Sequence, residues 1–256
     1  MHQRLATSSF DPHSFPMPFT PPTPTDLAAF GLGGMLRCGL ELRERARRAG
    51  SVQEVGEVVV RYFHDVFRDP VNGERQCALV RFYRTHDFDE LPEDDQAFAR
   101  DLLGGLDIDG ETRCLTLVAT AGSRPEWNDR TKSRGHRVIP LLNREMVERA
   151  PMIAQLVTQL GLDIGDVVQP DPEVIRGLQG KTYNVFHVEH ARDSPYIPAQ
   201  RDFVLPFGIE SVVGFGGLVG PDLFSVIVFS TVPISTESAS RFRTLALDVK
   251  GVLHSA

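Results

Sequence analysis

Apolar residues recur along the chain at two different spacings, and the switches between them outline its elements. After Ser51 the positions Val55, Val58, Val59, Tyr62, Phe63 and Val66 return every three or four residues, which predicts a helix with a broad buried face. Ser51-Val-Gln-Glu54 marks its start, because Ser and Glu at that spacing satisfy two free amides reciprocally. An earlier helix is predicted from Thr25 or Asp26 to about Arg48, with Leu32, Leu36 and Leu40 on one side and Gly50 as its stop. "CALVRFY" (77–83) and "RCLTLVATAG" (113–122) read as strands, separated by an acidic loop and a short helix near 93–103. "VIPL", a helix near 144–160 and the strand candidate "YNVFHVEH" (183–190) follow. The densest signal is "ESVVGFGGLV" and "LFSVIVFS", two apolar strands joined by a turn at Gly220-Pro221-Asp222. The run 223–230 is apolar almost without a break, as a strand covered on both faces must be. Ser235 or Thr236 caps a last helix carrying Phe242, Leu245, Val249 and Val252. This order predicts an α+β sandwich with a central antiparallel sheet of about six strands flanked by helices.

Composition narrows the picture. "FDPHSFPMPFTPPTPT" is too rich in proline to pack as helix or sheet, so residues 1–24 read as a disordered arm and 25–256 as one domain. A net charge of −7 argues against a nucleic-acid partner, which needs a concentrated basic face. The basic run "RERARRAG" has a glutamate inside it and reads as a solvated helix face. Three scattered cysteines and the lack of a long apolar span suggest a cytoplasmic chain with no membrane segment.

"GFGGLVG" looks at first like a phosphate cradle. Such a loop works by opening directly into a helix N-terminus, where amides and the helix dipole favour an anion. Here the next element is a strand, and Val219 stands where the dinucleotide fingerprint needs its third glycine. The glycines read as architectural.

From "PFGIESVVGFGGLVGPDLFSVIVFSTVPISTESASRFRTLALDVKGVL" onward the residues resemble the C-terminal half of a GAF domain. With "CALVRFYRTH", "CLTLVATAG", "PEWNDRTKSRGHRVIPL", "NVFHV" and "YIPAQRDFVLPFGI", the chain resembles a GAF-like input module of bacterial histidine kinases, serine phosphatases or cyclases over roughly 27–253. The resemblance implies a six-stranded sheet with helices on both sides and a sensory or regulatory role without catalysis. It also implies a small-molecule ligand, a signalling output protein or domain as partner, and a homodimer formed through terminal helices.

His187, Glu189 and His190 lack the spacing of a zinc helix, and on a strand the two histidines face opposite ways, so no metal is expected. "DFDELPEDDQ" reads as a solvated loop and helix start. Cys38, Cys77 and Cys114 read as small buried residues; none is followed by the histidine that accompanies a bound tetrapyrrole in GAF relatives, so no cofactor is named. The alternatives are a cysteine-dependent methionine sulfoxide reductase using Cys77 and Cys114, and a purely structural dimerisation or interaction module. In a GAF fold the segments between mid-sheet strands wall a ligand cavity. The expected ligand site therefore lies between the sheet and segments 123–137 and 186–207, at Trp127, Arg134, His136, Phe186, His187 and Phe207.

Overall fold

The computed structural model describes residues 21–178 and 184–256. The expectation for the arm therefore falls almost wholly outside the described residues, as does Tyr183 at the start of the fourth strand candidate.

The sheet has six antiparallel strands: β1 (Cys77–Asp87), β2 (Arg113–Gly122), β3 (Val138–Pro140), β4 (Phe186–Val188), β5 (Ser211–Val219) and β6 (Asp222–Ser230). Their spatial order is β3-β2-β1-β6-β5-β4, so β6 lies between β1 and β5. Its pattern is buried at every position except Asp222, as the apolar run demands. Three helices, α1 (Leu32–Ala46), α2 (Val52–Val66) and α9 (Phe242–Leu253), cover one face, against Val80, Phe82, Val213, Phe215, Val226 and Val228. The other face carries Leu79, Tyr83, Leu117, Val212, Ile227 and Phe229. Short pieces cover it: α4 (Arg144–Glu148), α5 (Pro151–Gln159), α6 (Ile164–Val168), α7 (Pro172–Leu178) and the chain from Ala191 to Ile209. Among the described residues there are two further α-helices: α3 (Glu93–Leu102), near the β3 edge, and α8 (Thr236–Ser240). This is the α+β architecture that the GAF-like resemblance implies.

Local chemistry explains the departures from expectation. α1 starts at Leu32 rather than Thr25, because Thr25 is spent on α2: its amide donates to Val66 and its carbonyl accepts from Arg68. The expected helix over 144–160 is two helices, since Pro151 begins a new one and Arg149 caps the old. Ser51 does cap α2, its hydroxyl accepting from the Glu54 amide, and Glu54 reaches back to the Gly50 amide at 2.7 Å. On α1 the buried side is Met35, Cys38, Gly39, Leu42 and Ala46, so the stripe of Leu32, Leu36 and Leu40 stands 55–62% exposed. The α9 stripe, in contrast, packs on the sheet.

The glycine-rich strand is dictated by close approach. A Cβ on Gly216 would collide with the backbone carbonyl of Phe224 on β6, and one on Gly214 would lie 2.9 Å from Leu156 and 3.0 Å from Phe186. The glycines let a neighbouring strand and α5 close down on β5. At the far end of the sheet Arg113 joins Asp87, Asp222 and Thr85, and Arg84 adds a 2.7 Å bond to Asp222, tying β1, β2 and β6 together.

Two outcomes follow. Gly216→Ala is expected to cost about 1–3 kcal/mol or more in urea unfolding, the range of overpacking, while Gly135→Ala, with nothing within 4 Å of its Cβ, stays within about 0.5 kcal/mol. Equal effects would mean that β5 and β6 are not so closely apposed. His64 supplies a pH test. Burial, and then the Arg75 charge, lowers its pKa from 6.5 to about 4. Between those values the unfolded chain binds more protons than the folded one, so stability falls as pH drops from about 6.5 to 4. His64→Gln is expected to flatten that part of the melting-temperature profile, and an unchanged slope would remove His64 as its source.

Candidate functional site

The loop from Ser123 to Arg137 leaves the end of β2, crosses the short-helix face and returns as β3. Its shape comes from two fixings. The first is a side-chain clamp: Asn128 donates from Nδ2 to the carbonyls of Gly122 (2.9 Å) and Arg124 (2.8 Å), and its Oδ1 accepts from the Gly122 amide at 3.1 Å. Thr120 adds a hydroxyl bond to the Trp127 carbonyl at 2.9 Å. Gly122 makes room, since a Cβ there would sit 2.9 Å from Trp127. The second fixing is Asp95 on α3, only 1% exposed, which accepts from Arg130 at 2.9 Å and from Arg137. Asp95 corrects the reading of "DFDELPEDDQ" as wholly solvated: one of its carboxylates is the buried anchor of the loop. A buried carboxylate is tolerated because two guanidiniums repay its desolvation.

Beneath this loop lies an open cleft of about 800 Å³, lined by Arg81, Phe98, Thr120, Glu126, Trp127, Asp129, Thr131, Lys132, Ser133 and Arg134. Arg81 and Thr120 form its floor as a register pair of β1 and β2, on the sheet face of Leu79 and Tyr83. Trp127 forms a wall, its ring held edge-on by Phe207 at 4.5 Å and Phe203 at 5.6 Å. Phe203 in turn meets Phe229 of β6 at 5.0 Å, so the wall is braced from the core.

The expected site residues therefore separate. Trp127 and Arg134 line the cleft, and Phe207 stands behind Trp127. His136 keeps an exposed edge, while desolvation and then the Arg81 charge hold its pKa below the ordinary histidine value. Phe186 does not join them; it is fully buried and paired with Gly214 on the other side of the sheet's midline. His187 is a correction. Alternation along β4 turns it to the helical face, where Nε2 donates to the Ile234 carbonyl at 2.9 Å and desolvation lowers its pKa. Arg81 and Thr120 were missed. A charged residue in the middle of "CALVRFY", on the side of its inward-facing neighbours, was the available signal for Arg81.

The cysteines do not meet. Cys77 opens β1, and Cys114 pairs with His86, nine residues further along, about 30 Å at the ordinary strand rise. Burial pushes both thiols up to about 12. Among the described residues no three His, Cys, Asp or Glu side chains gather as a metal ion requires, and no helix is long and apolar enough to cross a membrane.

Removing the anchor tests this construction. Asp95→Ala leaves two arginines without their shared partner and is expected to cost about 3 kcal/mol. It should also red-shift the emission of Trp127, the single tryptophan, as the loop lifts. An unshifted spectrum would show that Asn128, Thr120 and the ring contacts hold the wall without Asp95.

No protein-family profile and no curated protein matches the chain. Among solved structures it is similar to the GAF domain of a phosphoenolpyruvate-protein phosphotransferase from Coxiella burnetii, at 10% identity and TM-score 0.45 over 87% of this chain and 94% of that one. The corresponding GAF domain from Acinetobacter gives 14% identity and TM-score 0.40 over the same shares. The photosensory core module of the Stigmatella aurantiaca phytochrome gives 11% identity and TM-score 0.40, over 91% of this chain and 38% of that one.

Proposed function

We propose that the chain is a sensory or regulatory GAF-like module of bacterial signal transduction, which binds a small ligand in the cleft under the 123–137 loop and performs no chemistry on it. The observation that carries this reading is the cleft itself: a braced aromatic wall and polar groups converging over the centre of a rigid sheet. Ligand sites have this make-up, with apolar bodies fixing a ligand and a few polar groups orienting it. The positions and raised pKa values of Cys77 and Cys114 count against the reductase reading, because that chemistry needs a thiolate and a second cysteine within reach.

The single tryptophan makes the test direct. Protein purified from its own host is expected to retain a small molecule in native mass spectrometry, and its removal to change Trp127 emission. Trp127→Leu should weaken that ligand about tenfold or more by calorimetry, the loss of one aromatic face. A retained molecule that binds Trp127→Leu as tightly as the parent would move the site elsewhere.

The module's partner surface is the α1 stripe. Leu32, Leu36 and Leu40 repeat every helical turn, are more than half exposed and take no part in the subunit core, which suits a second copy in a helix seam. Light scattering at micromolar concentration should give a dimeric mass that Leu36→Glu halves. A monomeric mass for the parent chain would end the dimer proposal.

A further inference from the structure

We propose that the ligand of this cleft is an anion, a carboxylate or a phosphate ester on a flat apolar body, and that Arg81 is the residue that selects it. The proposal rests on the binding reading above and adds the charge of the ligand. It starts from a charge count within the cleft. The lining holds three cations, Arg81, Lys132 and Arg134, and two carboxylates, Glu126 and Asp129. Both carboxylates are already engaged at the rim, Asp129 with Lys132 at 3.7 Å and Glu126 with Arg124 at 3.2 Å. Among the described residues neither Arg81 nor Arg134 has a carboxylate partner, so the interior of the cleft carries uncompensated positive charge.

Arg81 is the more telling of the two. It is half-buried on the sheet floor, and among the described residues its one side-chain hydrogen bond is from Nη1 to the Tyr83 hydroxyl at 3.2 Å. Its Nε is shut off from solvent and has no acceptor. Other arginines held within this fold are treated differently. Arg84 and Arg113 also have an enclosed Nε without an acceptor, but their terminal nitrogens reach Asp222; Arg130 and Arg137 reach Asp95. A guanidinium taken partly out of water is stabilised by an anion, and here the fold supplies one to each of those four and none to Arg81. The two terminal nitrogens, with one Nη1 hydrogen already given to Tyr83, form the planar end-on fork that binds carboxylate or phosphate through two bonds. The pKa of His136 is lowered mainly by desolvation, and the Arg81 charge adds to it in the same direction. Trp127 offers the flat apolar face to the body of the ligand.

The test uses pairs of probes that differ in charge and hardly in shape. Benzoate against benzamide and phenyl phosphate against phenyl methanesulfonate are titrated into the full chain and followed by Trp127 emission, with calorimetry as a second readout. The expected result is that one or both anions bind at least tenfold more tightly than their neutral partners, and that the advantage falls with added salt. The better of the two anions assigns the headgroup. Arg81→Gln, checked for folding by its melting temperature, should abolish the advantage, whereas Arg134→Gln should reduce it by less. Should neutral and charged probes bind alike in the parent chain, the charge assignment fails while the cleft remains a ligand site. No binding by any of the four, with a retained host molecule proving neutral, overturns it as well. No probe bound and no molecule retained would overturn both readings together. An anion preference that survives in Arg81→Gln would remove Arg81 as the selecting residue.

Discussion

A sheet that is apolar on both faces cannot stand with one face in water, and that constraint governs the whole molecule. β6 has buried residues on both sides and lies in the middle of the order, so two covers must be built over it. The helical cover meets the need in the ordinary way, with α2 and α9 laying wide apolar stripes against Val80, Phe82, Phe215 and Val226. Aromatic rings knit that layer together: Phe63 meets Phe215 at 5.4 Å, and Phe215 meets Phe242 at 5.2 Å.

The second cover is made of pieces too short to be stable alone, and it is held by polar anchors as well as by burial. Asp95 gathers Arg130 and Arg137, and Asn128 closes on Gly122 and Arg124. Such anchoring fixes a loop at a chosen height above the sheet, where an apolar segment would collapse onto it. A cleft persists for this reason, and its floor can be polar. Near one end of the same sheet Arg113 sits among Asp87, Asp222 and Thr85, so the residue type placed at Arg81 is elsewhere used to brace strands. What separates the two positions is the partner the fold provides.

Most of the sheet was legible in the sequence because its strands are long and their apolar runs continuous. β1, β2, β5 and β6 fall within a few residues of the segments read from "CALVRFY", "RCLTLVATAG", "ESVVGFGGLV" and "LFSVIVFS". The helix α2 was equally plain, as its capping Ser51 and buried stripe reinforce one another. The three-residue strand β4 left one error: its pairing turns Phe186 and His187 to opposite faces, and a list of nearby residues cannot encode that separation. The exposure of Leu32, Leu36 and Leu40 was not legible for a related reason. Any stripe at helical spacing reads as a packing face, and only the position of Met35, Cys38 and Leu42 on the core shows which side of α1 is free. Asp95 was invisible because the arginines that make its burial tolerable lie 35 and 42 residues away.

The cleft and the helical layer are one strand thickness apart, and the contact between them is tight. Arg81 faces the cleft while Val80 and Phe82, its neighbours on β1, face α2. At this point β2 carries an extra residue, Val118, because Phe82 pairs with Ala119 and Tyr83 with Leu117. A bulge sharpens local twist and tilts the strand beside it. Opposite the bulge α2 presents Gly56, where a Cβ would lie only 3.1 Å from Val118, 3.2 Å from Ala119 and 3.3 Å from Phe82. The helix is therefore seated directly on the irregular part of the sheet, with no side chain between to absorb a shift. Close-packed interiors have little slack. A displacement of β1 or β2 caused by an occupant between Arg81, Thr120 and Trp127 would meet α2 at Gly56, and α2 packs in turn against α1. The exposed leucines of α1 thus lie two packed contacts from the cleft floor.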